Sequence, residues 1–423
     1  MVRLSAFLLA LLIPVAGVAQ LLPPISAPRL PQVGDVVAGV SRDFGMVGDV
    51  RQAALALARD RLDRITALVR DNRTTMAFDD KGDAARAGEV LVDDPDDALI
   101  AHATARGFAL IERGTIEGTD IGFARFVIPV GQKLPSAIKA MRRIADKRSV
   151  SADHLHFQSG PGTGAPGEGG PVGGAATEIL RIGMIDGGVA VAASRARVVR
   201  QGFARGAPSA SNHGSAVASL LVGAGAVRGA APGATVWAAD VYGNDPAGGN
   251  ATAIAKALGW LSTQGVPVVV ISLVGPANPL LARVVHAVQA RGTIIVAAVG
   301  NDGPAAPPSY PASYPGVVAV TGVDAKGRAL IEAGRALHLD YAAPGADMLA
   351  ANASGAPVAV RGTSFAAPFA AARIAHFYAE IAPAKVAAAI AAANREAADL
   401  GKRGPDPRYG RGLLCGGCAT PAR

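Results

Sequence analysis

The chain has 423 residues, half of them apolar and 17% charged, with a net charge of +8. That length exceeds one average domain, and the apolar share supports a large buried core, so two folded parts and a leader are expected. Arg and Lys are interspersed with Asp and Glu, and no basic run carries interleaved aromatics; the charge reads as a basic surface and excludes a nucleic-acid partner.

Met1-Val2-Arg3, the apolar run over 4–19 and the small-residue exit Gly17-Val18-Ala19 form a secretory signal peptide over 1–19. Its apolar run is shorter than the ~20 residues a spanning helix needs, and Pro14 interrupts it. Membrane contact is therefore expected only through this signal before cleavage, and the mature protein is expected to be secreted or periplasmic. Residues 20–87 read as an extended Pro/Gly/Val arm to about 47, then an amphipathic helix. In that helix Leu55, Ala58, Leu62, Ile65 and Val69 recur at three- and four-residue steps. Its polar face mixes Arg59, Arg61 and Arg64 with Asp60 and Asp63, which suits packing rather than a membrane surface.

Residues 88–157 change rhythm: strand 89–92, helix 95–106, strands 108–112 and 121–129, helix 134–145 and strand 150–157. This is a split βαβ, ferredoxin-like α+β unit. His102, His154 and His156 lie in it. His154 and His156 alternate along a strand, but no further ligand stands at a supporting spacing, so no metal site is expected. Residues 158–176 are Gly, Pro, Ser and Ala with almost no charge or bulk, a linker open to proteolytic nicking.

Over 177–415, apolar runs at 179–185, 235–241, 266–273, 293–299 and 317–323 alternate with helical stretches at 215–222, 250–264 and 279–291. The fold class is α/β, a doubly wound, mostly parallel sheet covered on both faces. Catalytic groups on such sheets gather beyond the carboxyl ends of the strands. Cys415 and Cys418, the only cysteines, are too few for a four-ligand zinc site and read as a local disulfide or two idle thiols. Residues 416–423 read as a tail.

Three strings carry chemistry: Asp186-Gly187-Gly188 at a strand end, Asn212-His213-Gly214-Ser215 opening a helix, and Gly362-Thr363-Ser364-Phe365-Ala366-Ala367-Pro368 opening another. They supply a carboxylate, an imidazole and a hydroxyl, the parts of an activated serine nucleophile. The start of the Ser364 helix places N–H groups and positive dipole character beside the hydroxyl. Pro368 is expected to cost little because it lies in the first turn, where no intrahelical N–H is needed.

At these residues the chain resembles the subtilisin-like serine peptidases, over about 179–414. The order Asp, His, Ser is theirs, whereas hydrolases with a G-x-S-x-G elbow run Ser, Asp/Glu, His, which opposes an esterase of that type. The stretch 268–276, with Ser272, Leu273, Val274 and Gly275, is similar to the strand that pairs with substrate. Ala297, Ala298, Val299 and Gly300 resemble the opposite wall of the specificity pocket, ending in Asn301. The resemblance implies a serine endopeptidase with Ser364 as nucleophile, His213 as base and acid, Asp186 orienting His213, and Asn301 donating to the oxyanion. It also implies that 88–157 is a propeptide capping the cleft, that polypeptides are the substrates, and that the precursor is cut in the linker. It implies no required cofactor and leaves calcium open. Departures are Gly187 where Ser or Thr usually follows Asp, Ser215 for Thr, Arg361 for a small residue, and Val274 for a pocket glycine. Val274 suggests a preference for small apolar residues before the scissile bond. The alternative is a subtilisin-like protein that binds peptides with little or no turnover.

Overall fold

A computed structural model describes residues 48–158, 180–194 and 196–422. The signal over 1–19, the arm over 20–47 and linker residues 159–176 lie outside the described residues.

Helix α1 (Gly48–Asp71) leads into strands β1 (Met76–Phe78) and β2 (Ala84–Asp93), then α2 (Asp97–Ala105), β3 (Ala109–Thr115), β4 (Gly122–Val127), α3 (Leu134–Ile144) and β5 (Val150–His154). The sheet runs β1-β2-β4-β3, with β5 on β2, and its pairs are antiparallel. The split βαβ unit is thus present, but β2 begins at Ala84 rather than at 89. Its early part, Ala84–Arg86, pairs with β1 in a hairpin that small residues and charge disguise. Leu99, Ala103, Ile138 and Met141 of the helices fill the core on one face. The other face sends Leu91, Ile116 and Phe123 into the second unit's core.

After β6 (Phe157–Gln158) come β7 (Arg181–Asp186), β8 (Val198–Gly202), α4 (Asn212–Val222), β9 (Thr235–Asp240), α5 (Ala251–Thr263), β10 (Val268–Ile271), β11 (Leu273–Val274), α6 (Pro279–Ala290), β12 (Ile294–Ala298) and β13 (Val318–Val323). Strands β14 (Tyr341–Pro344), β15 (Met348–Ala351) and β16 (Pro357–Val360), helices α7 (Thr363–Phe377) and α8 (Val386–Glu396), and β17 (Thr420–Pro421) complete the chain. Seven parallel strands lie in the order β14-β13-β12-β10-β7-β9-β8. α4 and α7 pack on one face and α5 and α6 on the other. Burial on both faces explains why the central strands read as unbroken apolar runs.

Residues 416–422 of the expected tail are not free. Thr420–Pro421 pairs with Leu349–Met348 of β15, and the Ala422 amide donates to the Asp347 carbonyl. Cys415 and Cys418 form a disulfide just before it.

α7 is buried on nearly every side, and its proline needs a different account from the expected one. Pro368 is the sixth residue of α7, so it removes the N–H that would bond the Ser364 carbonyl. The Ser272 hydroxyl fills that place, donating to the Ser364 carbonyl at 2.9 Å. A strand-end serine thus repairs the helix at the residue that carries the hydroxyl of interest.

Candidate active site

Asp186 at a strand end pairs with His213 at one helix start, and the His213 ring lies 5.4 Å from that of Phe365, the residue after Ser364 at the other helix start. Asp186 closes β7 and is fully buried. Its carboxylate accepts from the Gly187 amide at 2.7 Å, and both of its oxygens lie 2.9 Å from His213 Nδ1. A carboxylate on that nitrogen selects the tautomer protonated at Nδ1 and leaves Nε2 able to take a proton. His213 Nε2 is buried and has no hydrogen-bond partner among the described residues. The Ser364 hydroxyl donates to the Ser272 carbonyl at 3.3 Å.

His213 sits in the first turn of α4, capped by Ser211, whose hydroxyl accepts from the Gly214 amide at 3.0 Å. Gly214 has to be glycine because a Cβ there would lie 2.1 Å from the Gly187 carbonyl oxygen. Gly214→Ala is expected to push α4 off the strand end, costing about 2–4 kcal/mol of stability, with activity falling as His213 leaves Asp186; thermal unfolding beside a peptide-hydrolysis assay checks it.

Asn301 follows β12. Its Oδ1 accepts from the Thr363 amide at 2.9 Å, while its Nδ2 is buried without a partner among the described residues. A Cβ on Gly362 would lie 2.8 Å from that Nδ2, so the donor is held beside the start of α7. The Thr363 hydroxyl ties this wall down, accepting from the Gly300 amide at 3.0 Å and donating to its carbonyl at 3.1 Å. Ala297, Ala298, Val299 and Gly300 are buried along the same wall.

Opposite stand Ser272, Leu273, Val274 and Gly275. β11 pairs antiparallel with β6, Leu273 with Gln158 and Val274 with Phe157, so valine at 274 permits backbone pairing. A Cβ at Gly300 would lie 3.2 Å from a Val274 methyl, so this side chain reaches across to the other wall. Arg361 is half-exposed and held by Glu332, with Nε to Oε1 at 2.7 Å.

The chain's own residues 155–158 lie in the groove between β11 on one side and Tyr242, Gly249 and Asn250 on the other. The His156 amide donates to the Gly249 carbonyl at 2.8 Å, and the Tyr242 hydroxyl donates to the His156 carbonyl at 2.6 Å. The Gln158 side-chain amide reaches Asp186 Oδ1 at 3.1 Å. Helix α1 covers this segment. Ile65 and Leu68 pack with Leu155 and Phe157, while Arg61 and Arg64 bind Asp302, next to Asn301, at 3.0 and 2.6 Å. None of these long-range contacts leaves a local sequence signal, and Gln158 stood in the expected linker.

Burial pushes the His156 imidazole down to about 3, with neither ring nitrogen hydrogen-bonded among the described residues. An unfolded histidine titrates near 6.5, so below that value the unfolded state binds the extra proton and stability falls as pH falls. About 2 kcal/mol is expected to be lost between pH 6.5 and 5. Asp93, which burial raises to about 6, acts oppositely between about 6 and 4. His156→Phe isolates the histidine: thermal unfolding at pH 7 and 5 should show a smaller acid loss than wild type.

Asp79, Asp83 and His154 are close enough to hold a metal ion. The hydrogen bonds argue against it. Asn278 is oriented by accepting from the Leu281 amide and donating to the Ala152 carbonyl, so its Nδ2 donates to His154 Nδ1 at 3.0 Å. His154 Nε2 then carries the proton and donates to Asp79 Oδ2 at 3.1 Å, leaving no lone pair for a metal.

The sequence model of the subtilase family matches residues 195–412. Subtilisin DY of Bacillus licheniformis is 31% identical over 250 residues, which cover 56% of this chain and 88% of the relative. Subtilisin BL of Lederbergia lenta is 32% identical over 173 residues, 39% of this chain and 64% of the relative. Among solved structures, fervidolysin of Fervidobacterium pennivorans, a keratinolytic enzyme related to subtilisin, gives a TM-score of 0.62 at 17% identity, covering 78% of this chain and 60% of that one. The epidermin leader peptide processing serine protease of Staphylococcus aureus gives 0.56 at 16% identity, covering 78% and 97%. These structural likenesses bear on the fold.

Proposed function

Because the chain belongs to the subtilase family and is a serine-type peptidase, we propose that it is an exported endopeptidase acting through Ser364, His213 and Asp186, made as a precursor and cut in the 158–176 linker. The observation that carries this reading is the buried Asp186–His213 pair beside the start of α7, with an Asn301 donor that is unpaired among the described residues.

His213 Nε2 takes the Ser364 proton as Oγ attacks the substrate carbonyl, and the oxyanion receives hydrogen bonds from Asn301 Nδ2 and the Ser364 amide. His213 then hands its proton to the leaving amine, giving an acyl-enzyme, and a water deprotonated by the same nitrogen releases the acid. Asp186 holds the imidazole and balances its transient charge. All these groups belong to the chain, so the reading requires no cofactor.

Precursor status is supported by residues 155–158 in the groove. Export is supported by the 1–19 sequence and by the Cys415–Cys418 disulfide, a bond that persists in oxidising compartments. Val274 crossing toward Gly300 supports a narrow pocket that favours small apolar residues before the scissile bond; equal cleavage after Phe and Ala would oppose that preference.

The test is processing and labelling of the full chain. Wild type should be cut in the linker and react with a fluorophosphonate at Ser364, whereas Ser364→Ala should accumulate uncut. Normal trimming of that variant would assign processing to another protease, and a wild-type chain that is processed yet unlabelled would favour peptide binding without turnover. The same assay with a chelator reads any calcium requirement.

A further inference from the structure

We infer that the peptidase selects glutamine at the substrate position lying opposite Leu273, because Gly187 leaves a gap through which a side-chain amide reaches Asp186. This rests on the groove being the substrate site, as proposed above.

Three observations converge. The strand register places residue 158 opposite Leu273. From there the Gln158 amide extends to Asp186 Oδ1 at 3.1 Å, joining the Gly187 amide on the same oxygen. At Gly187 an added Cβ would lie 3.2 Å from Gln158 Nε2 and 2.4 Å from Ser211 Oγ. The space where residue 187 would carry a side chain is thus shared by Ser211 and the incoming amide, and a serine or threonine there would close it. The third donor to Asp186 arrives from the bound peptide.

The chemistry of this contact narrows the partner to one residue. Asp186 is a fully buried carboxylate, so a glutamate facing it would bury two like charges. A methionine matches glutamine in length but donates nothing. An asparagine is one methylene shorter and falls out of hydrogen-bond range. A lysine would bring a fixed cation to the carboxylate that must support the His213 imidazolium, making His213 a weaker base. Among these side chains glutamine alone combines reach, a donor and no charge. The same contact makes the 155–158 segment a self-substrate of matching chemistry.

The test uses internally quenched peptides carrying the sequence of residues 152–162 of this chain, with Gln, Asn, Met or Glu at the Gln158 position. They are offered to the full-length chain after self-processing, and products are sized by mass spectrometry. A buried hydrogen bond to a charged group predicts that Gln exceeds Met in kcat/KM by on the order of 10- to 100-fold, with Asn near Met and Glu slowest. Met within twofold of Gln, or Glu equal to it, overturns the inference while leaving the peptidase reading intact. If no peptide is cut and Ser364 takes no fluorophosphonate, the peptidase reading fails and the inference falls with it.

Discussion

Ser364→Ala is expected to lower kcat on a quenched peptide by about a million-fold, the scale known for a subtilisin that loses its serine. The substitution removes one oxygen from a fully buried side chain. It severs the 3.3 Å bond to the Ser272 carbonyl but leaves the backbone contact from the Ser272 hydroxyl to the residue 364 carbonyl, which holds the proline-interrupted turn. Folding should therefore survive, with a midpoint of thermal unfolding within a few degrees of wild type, and the loss should fall on turnover. A variant that unfolds normally and keeps more than 1% of wild-type kcat would remove Ser364 from the reaction.

Asn301→Ala is expected to cost on the order of 100- to 1,000-fold in kcat with KM little changed, the size seen when a subtilisin loses its oxyanion-hole asparagine. A donor that contacts the substrate only once charge has developed on the carbonyl oxygen acts on the transition state and hardly on binding. The Asn301 amide fits that description, because its oxygen is engaged by the Thr363 amide while its nitrogen is buried and unpaired among the described residues. Losing the oxygen also releases the Thr363 amide, so a modest stability loss of about 1 kcal/mol should accompany the kinetic one. Steady-state kinetics separates the two: a rise in KM at constant kcat would make Asn301 a ground-state binding residue instead.

What was legible in the sequence follows from burial. Strands β7, β9, β10, β12 and β13 lie inside a sheet covered on both faces and declare themselves as apolar runs. β8 is an edge strand of half-buried residues, Val198–Gly202, and β14 is four residues ending in proline, so neither carries a run long enough to read. α8 is six alanines in eleven residues, and its buried positions Ala389 and Ala393 carry too little bulk to mark a face. Asp186, His213, Ser364 and Asn301 stood out because strand ends and helix starts have local signatures. Gln158 and Glu332 did not, since each matters through a partner far away in sequence. The proline of α7 carries no local sign of its compensation, which comes from Ser272, 92 residues before Ser364.

The near-total burial of α7 has a consequence for motion. Loops and lids that move during turnover are drawn from the parts of a protein that open most easily, whereas amides in a central helix exchange only when the whole domain opens. Ser364 is carried at the head of such a helix. Its position is thereby insulated from local fluctuation, and on the proposed mechanism the adjustments that peptide hydrolysis demands fall to the side chains of His213 and Asn301 and to the incoming peptide.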